Sequence, residues 1–223
     1  MMKKQLLFLA AMSVLMMLLF GCQSTGTAGN GNDAGGDSAA AAPHDMKQQE
    51  MVMEPFDAVV LDGAANITYD SGGEHRVRIE APGDVLNHVN VWVEDGELHV
   101  GDRPGAEGVR FDSVTVHVTS PQLTVVSLNG AGNFTAKARL AADQMRIALA
   151  GAGNVSLAAL TCRRLVVELS GAGNVTVDGL TTSLAETTLT GAGNVTLNGK
   201  ADRHVERVDG PGHIDISHLE STE

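Results

Sequence analysis

Glycine, asparagine and threonine recur together in this chain in a form that could serve three chemistries. "LNGAGNFTA" begins at Leu128, "LAGAGNVSL" at Leu149, "LSGAGNVTV" at Leu169 and "LTGAGNVTL" at Leu189, with weaker forms "LDGAANITY" at Leu61 and "VDGPGHIDI" at Val208. A Gly-x-Gly loop can cradle phosphate, but only with a helix N-terminus behind it and a lysine or acidic partner. A strand pattern follows here, and one nucleotide per repeat has no use. Calcium-binding coils present an aspartate in each nine-residue repeat; this chain presents neutral asparagine. Asn66, Asn133, Asn154, Asn174 and Asn194 each open an Asn-x-Ser/Thr glycan acceptor pattern, yet a stacked column would hide those amides. The phrase therefore reads first as structure.

Other reactive groups are scattered. Glycoside hydrolysis needs two carboxyls roughly 5–10 Å apart, which on stacked repeats means acids at matching positions of neighbouring coils. Glu168 is matched by Ala148 and Thr188, Glu186 by Val166 and Val205, and Asp178 by Ala158 and Asn198. No pair lines up, and no nucleophile has a base beside it. His204, Glu206, His213, Asp215 and His218 form the densest polar group. They could ligate a transition metal, or they could be the polar cap over the open end of a stack. The cap is the preferred reading, and neither a metal nor a cofactor is expected.

What must position these groups is a repeat. The first glycine of each phrase falls at Gly130, Gly151, Gly171, Gly191 and Gly210, in steps of 21, 20, 20 and 19. A period near 20 is too short for helical repeats and marks a solenoid whose coils are strands. Phe134 and Ala136, Val155 and Leu157, Val175 and Val177, and Val195 and Leu197 alternate as inward-facing strand residues. Upstream, "FDAVVLDGAANITYDS", "HRVRIEAP", "VNVWVEDGELHVGD" and "FDSVTVHVTSP" read as further strands; "ARLAADQMRI" is expected to be loop plus strand. With coils about 4.8 Å apart, Gly-Ala-Gly-Asn becomes a corner. Its glycines and asparagines are expected in the left-handed backbone that sharp turns demand. Asn133, Asn154, Asn174 and Asn194 then form a hydrogen-bonded column. Thr135, Ser156, Thr176 and Thr196 form a second column that faces water and is the candidate contact surface.

The N-terminus reads as an export signal, residues 1–21. Lys3 and Lys4 precede an apolar run, Leu6 to Phe20, that is too short to span a membrane and suits a signal peptide. It ends in "LLFGC", which resembles a bacterial lipoprotein box and places the lipid on Cys22. Gln23, where an aspartate would retain such a protein at the inner membrane, directs it to the outer one. Residues 22–54, rich in glycine, alanine and serine, read as a flexible tether, with a little helix in "HDMKQQEMVME". The folded domain is expected at 55–218 and a tail at 219–223. Cys162, left without a partner, is expected as a small buried filler. Cleavage removes two lysines and takes the net charge from -12 to -14. So acidic a chain, with one Trp and one Tyr, is unsuited to nucleic acid.

The Gly-x-Gly series, following "FDAVVLDGAANITYDS…VNVWVEDGELHV…VTVHVTSPQLTVVSLNGAGN", resembles the head GIN domain family, known as autotransporter adhesins. The resemblance covers about Pro55 to His218, with Gly-Ala-Gly where the family commonly has Gly-Ser-Gly. It implies an exported β-solenoid, often a lipoprotein, with no established activity. The expected protein is an all-β, lipid-anchored, non-catalytic envelope scaffold that binds a surface protein or polysaccharide. Alternatives are a carbohydrate-active β-helix enzyme and a metal-binding envelope protein. The sequence specifies no oligomeric state.

Overall fold

Alternating apolar residues dictate strands, and the computed structural model is built almost entirely of them. It describes residues 45–105 and 113–221; the signal peptide at 1–21, Cys22 and the tether as far as 44 lie outside the described residues. In chain order come β1 (Met46–Val52), β2 (Ala58–Leu61), β3 (Ala64–Ser71), β4 (Arg76–Pro82), one helical turn α1 (Gly83–Leu86), β5 (Val89–Glu94) and β6 (Glu97–Asp102). Then follow β7 (Thr115–Ser120), β8 (Val125–Leu128), β9 (Ala131–Leu149), β10 (Ala152–Leu169), β11 (Asn174–Leu189), β12 (Asn194–Val208), β13 (His213–Asp215) and β14 (Leu219–Ser221). They belong to one sheet wound on itself, a β-solenoid of about five turns.

Each of β9 to β12 makes one coil and pairs in parallel with the next. Phe134, Val155, Val175 and Val195 stack in register, as do Leu149, Leu169 and Leu189, and all are buried. No coil can shield its own apolar side. A stack can, and each fully buried Val or Leu contributes about 1.5–3 kcal/mol. The uneven period is absorbed locally. Leu157 pairs with Ala136 but Ala159 with Arg139, so the surplus residue of the longer step lies between these points. In the shorter step Val177 pairs with Leu197 but Leu180 with Gly199, where φ is +133°. "ARLAADQMRI" is strand throughout, within β9, with no loop.

The upstream strands continue the same pile. β3 lies on β9 and β7 on β3, while β2 lies on β8 and β6 on β2, all parallel. Tyr69 of β3 is buried against Phe134, ring centroids 6.2 Å apart, and its hydroxyl donates to the Ser120 carbonyl. Antiparallel strands finish this end, β4 and β1 on one side and β5 on the other. Asp95 and Gly96, both at positive φ, make the tight turn between β5 and β6.

Two expected boundaries are corrected. The folded region starts before 55, because Met46–Val52 is a strand on β4, and the described part of the stretch expected to carry some helix, 45–54, has none. β1 is held by main-chain bonds at a sheet edge and is exposed along nearly all its length, so no apolar alternation betrays it. At the other end Leu219–Ser221 is no tail. It pairs with β12, and Leu219 packs on the core.

The reason expected for the corner glycines is also corrected. Among the described residues only Asp95, Gly96, Gly105 and Gly199 have positive φ, so the Gly-Ala-Gly-Asn corners are not left-handed. The glycines are there because backbones nearly touch. Leu149 O accepts from both Ser170 N–H and Gly171 N–H, and Leu128 and Leu169 do the same one coil away on either side. This convergence draws successive corners together. A Cβ on Gly153 would lie 1.8 Å from the carbonyl oxygen of Gly132, and one on Gly173 the same distance from that of Gly153. The nearest atoms are all backbone of the preceding coil, so no side chain can yield. Gly173→Ala should therefore destabilise by about 3 kcal/mol or more, the upper end for an overpacked site. Gly73→Ala, with nothing within 4 Å of the added carbon, should change stability by less than about 0.5 kcal/mol. Chemical denaturation of both variants measures the contrast; equal losses would refute the close-approach explanation.

Candidate ligand-binding face

The corner delivers the chain into a short straight run whose outward residues are polar. Alternation turns Val155 and Leu157 inward, so Asn154 and Ser156 point out, and the same holds in every coil. Asn133 donates its amide to Asn66 at 2.7 Å, Asn154 to Asn133 at 2.8 Å, Asn174 to Asn154 at 2.8 Å and Asn194 to Asn174 at 2.9 Å. Each interior amide thus donates one bond and accepts another along the stack. Two residues on, Thr68, Thr135, Ser156, Thr176 and Thr196 stand in register beside them. These hydroxyl residues face outward and are half-buried, shielded by their column neighbours.

The result is a neutral lattice of two columns and five ranks. Ranks are about 4.8 Å apart and columns about 6.6 Å apart, so the lattice runs for about 19 Å. Its ends are marked by a change in chemistry. Thr115 continues the asparagine column and His117 and Arg78 the threonine column at one end; His213 and Asp215 do so at the other. The Asp215 carboxyl is held below the ordinary carboxylate range, chiefly by the Ser217 backbone N–H.

The remaining faces carry the charge, and most of their acids are engaged. Arg163 grips Asp143 of the preceding coil through two 2.9 Å bonds, which keeps that carboxyl below its usual range. Arg146 pairs with Glu168 and Arg164 with Glu186, each reaching across one coil and one column. The acids considered for glycoside hydrolysis are thus half of ion pairs or, for Asp178, bonded to Asn198. Their coil neighbours are the ones the spacing gave, Ala148 and Thr188 for Glu168 and Val166 and Val205 for Glu186.

The histidine-rich end does not gather into a metal site. His204 lies near Thr187 and is held below its ordinary value by burial. His218 meets Ser217 instead. Among the described residues no group of three or more His, Cys, Asp or Glu side chains could hold a metal ion. Cys162 is buried and its thiol donates weakly to Thr182; burial pushes its pKa up, away from reactivity.

Sequence reasoning missed two features. Trp92 stacks on His99 with centroids 5.0 Å apart, and His99 and Asn129 both bond Asp62. A cleft of about 290 Å³ opens beside Phe56, His75, Gly96 and Gln122. Their members come from segments far apart in sequence, and no local pattern signals them. The Arg–Glu pairs could have been found, since 22 residues is one coil plus one column.

Residues 55–185, more than half of the chain, match the family described as "Putative auto-transporter adhesin, head GIN domain". The fold is similar to that of a putative adhesin from Bacteroides fragilis NCTC 9343, at 21% identity and a TM-score of 0.65, covering 76% of this chain and 96% of that one. It is also similar to a putative lipid binding protein from Parabacteroides distasonis ATCC 8503, at 19% identity and a TM-score of 0.71, covering 79% and 75%. A putative adhesin from Parabacteroides merdae ATCC 43184 gives 17% identity and a TM-score of 0.52 over 80% and 96%. At such identities the likeness is one of fold. No curated protein matches the chain.

The amide ladder makes a graded prediction. Asn174→Ala breaks a bond on each side and should cost about 1–2 kcal/mol, while Asn194→Ala, which loses the single bond to Asn174, should cost about half as much. Thermal unfolding of the pair tests the order, and a reversal would show that the ladder does not carry stability.

Proposed function

The chain belongs to the head GIN domain family, and from that premise we propose that it is a non-catalytic scaffold of the bacterial cell envelope. It is exported, anchored by lipid on Cys22, held at the outer membrane, and grips its ligand with the Asn–Thr face. The family and its adhesin-named neighbours are named for binding rather than for catalysis, which supports an exported surface role. Among the described residues no helix is long and apolar enough to cross a membrane.

The observation that carries the reading is the two-column lattice. Each rank offers the same hydroxyl and the same amide edge at a fixed interval, so the matching ligand is itself extended and repetitive. An envelope polysaccharide or an extended segment of a surface protein fits that description. Many weak, equivalent contacts add up when they are held in one geometry. The face carries no formal charge along its ranks, which suits neutral hydroxyl and amide groups better than phosphate. The acids weighed for hydrolysis, Glu168, Glu186 and Asp178, are tied to Arg146, Arg164 and Asn198, so they lend the hydrolase alternative no support.

Purified protein should bind at least one member of a panel of envelope polysaccharides and host matrix proteins. Thr176→Arg, which lifts a long charged side chain above the plane, should abolish that binding without lowering the melting temperature. Absence of binding across the panel, with normal attachment by cells lacking the protein, overturns the role. Anchoring has its own test: Cys22→Ser should move the protein from the membrane fraction to the soluble one, and unchanged fractionation would exclude lipid on that residue.

A further inference from the structure

β1 is the terminal strand of its side of the pile, and its free edge has a definite phase. Gly83 N–H donates to Asp45 O and Met53 N–H to His75 O, one at each end of the β1–β4 pair. In an antiparallel pair, bonded and non-bonded positions alternate. The odd-numbered residues of β1 therefore bond β4, and the main-chain groups of Met46, Gln48, Glu50 and Val52 point the other way. Among the described residues no strand pairs with that edge.

The same edge carries apolar side chains that the monomer leaves in water. Val52 is 78% exposed and Met46 51%, at opposite ends of the strand. Free edges are usually protected by proline, a bulge or a run of charge. β1 has no proline, its register with β4 is unbroken, and it holds one lysine and one glutamate.

We propose that two copies of this chain join edge to edge through β1, antiparallel about a two-fold axis at Gln49. This register pairs Met46 with Val52 and Gln48 with Glu50 of the other copy. All four are residues whose N–H and C=O already point outward, so the hydrogen-bonding phase matches without a shift. Met46 and Val52 cover each other twice, once on each side of the axis. Lys47 falls opposite Met51 and Glu50 opposite Gln48, whereas a parallel in-register pairing would set Lys47 on Lys47 and Glu50 on Glu50. The far end of the stack, along β12, also exposes Val205 and Val208, but sets them among Arg203, Glu206 and Arg207, a pattern unlike that of β1. A self-matching edge at one end only gives a closed dimer and not a filament.

The two-fold sets Gln49 against Gln49 as a non-bonded pair, with Cα atoms about 4.5 Å apart, inside the range a disulfide spans. Full-length protein in mild detergent should sediment as a dimer. Gln49→Cys should give a reducible covalent dimer under oxidation, and Val205→Cys, exposed on the last coil, should not. Gln48→Pro removes an edge-facing N–H, and the double variant Met46→Lys, Val52→Lys places charge in the apolar contacts. Both should sediment as monomer with unchanged circular dichroism. A monomeric unmodified protein, equal cross-linking from Val205→Cys, a dimer that survives both edge variants, or a larger open assembly each overturns the proposal.

Discussion

Stacked corners in this protein meet backbone to backbone, and that contact governs the rest. At each turn a carbonyl oxygen occupies the space where the next coil would place a Cβ. Glycine is thus required twice per corner by proximity. Because the corners close that tightly, the strands that leave them start in register. Register fixes which residues point inward, and a slip of one would expose Val155 and bury Asn154. The asparagine bonds, the buried Leu columns and the alignment of hydroxyls all follow from a spacing set at the glycines.

Charge is distributed so as to leave one face quiet. Arginine ties coil to coil on the other sides, at Arg146, Arg163 and Arg164, and consumes acids that a net-negative chain would otherwise display. Exposed pairs of this kind contribute little stability each. Their larger effect is to settle which surface is charged and which is neutral. The Asn–Thr ranks are left neutral, each presenting an amide and a hydroxyl at a uniform spacing.

The repeating coils were legible in the sequence because their cause is local. A glycine pair, an asparagine and alternating apolar residues recur at a period that only stacked strands satisfy. The conformation of those glycines was misjudged, since sequence shows that a side chain is absent but not whether φ or a neighbouring carbonyl excludes it. β1 and β14 escaped notice for a different reason. They sit at the ends of the pile, are held by main-chain bonds with single apolar contacts from Met51 and Leu219, and show no alternation to read. Trp92, His99 and Asp62 were invisible because their meeting depends on which strand lies on which.

Deviations from the 20-residue period have their own consequence. One surplus residue is taken up after Ala136 and one missing residue at Gly199, both past the inward pair of the straight run, while the corners themselves stay aligned. Length errors are thereby confined to a part of the coil that carries neither the glycine contact nor the amide column. A coil behaves as an exchangeable cassette, so duplication or loss of a gene segment encoding one would lengthen or shorten the Asn–Thr strip by a single rung without redesigning its neighbours.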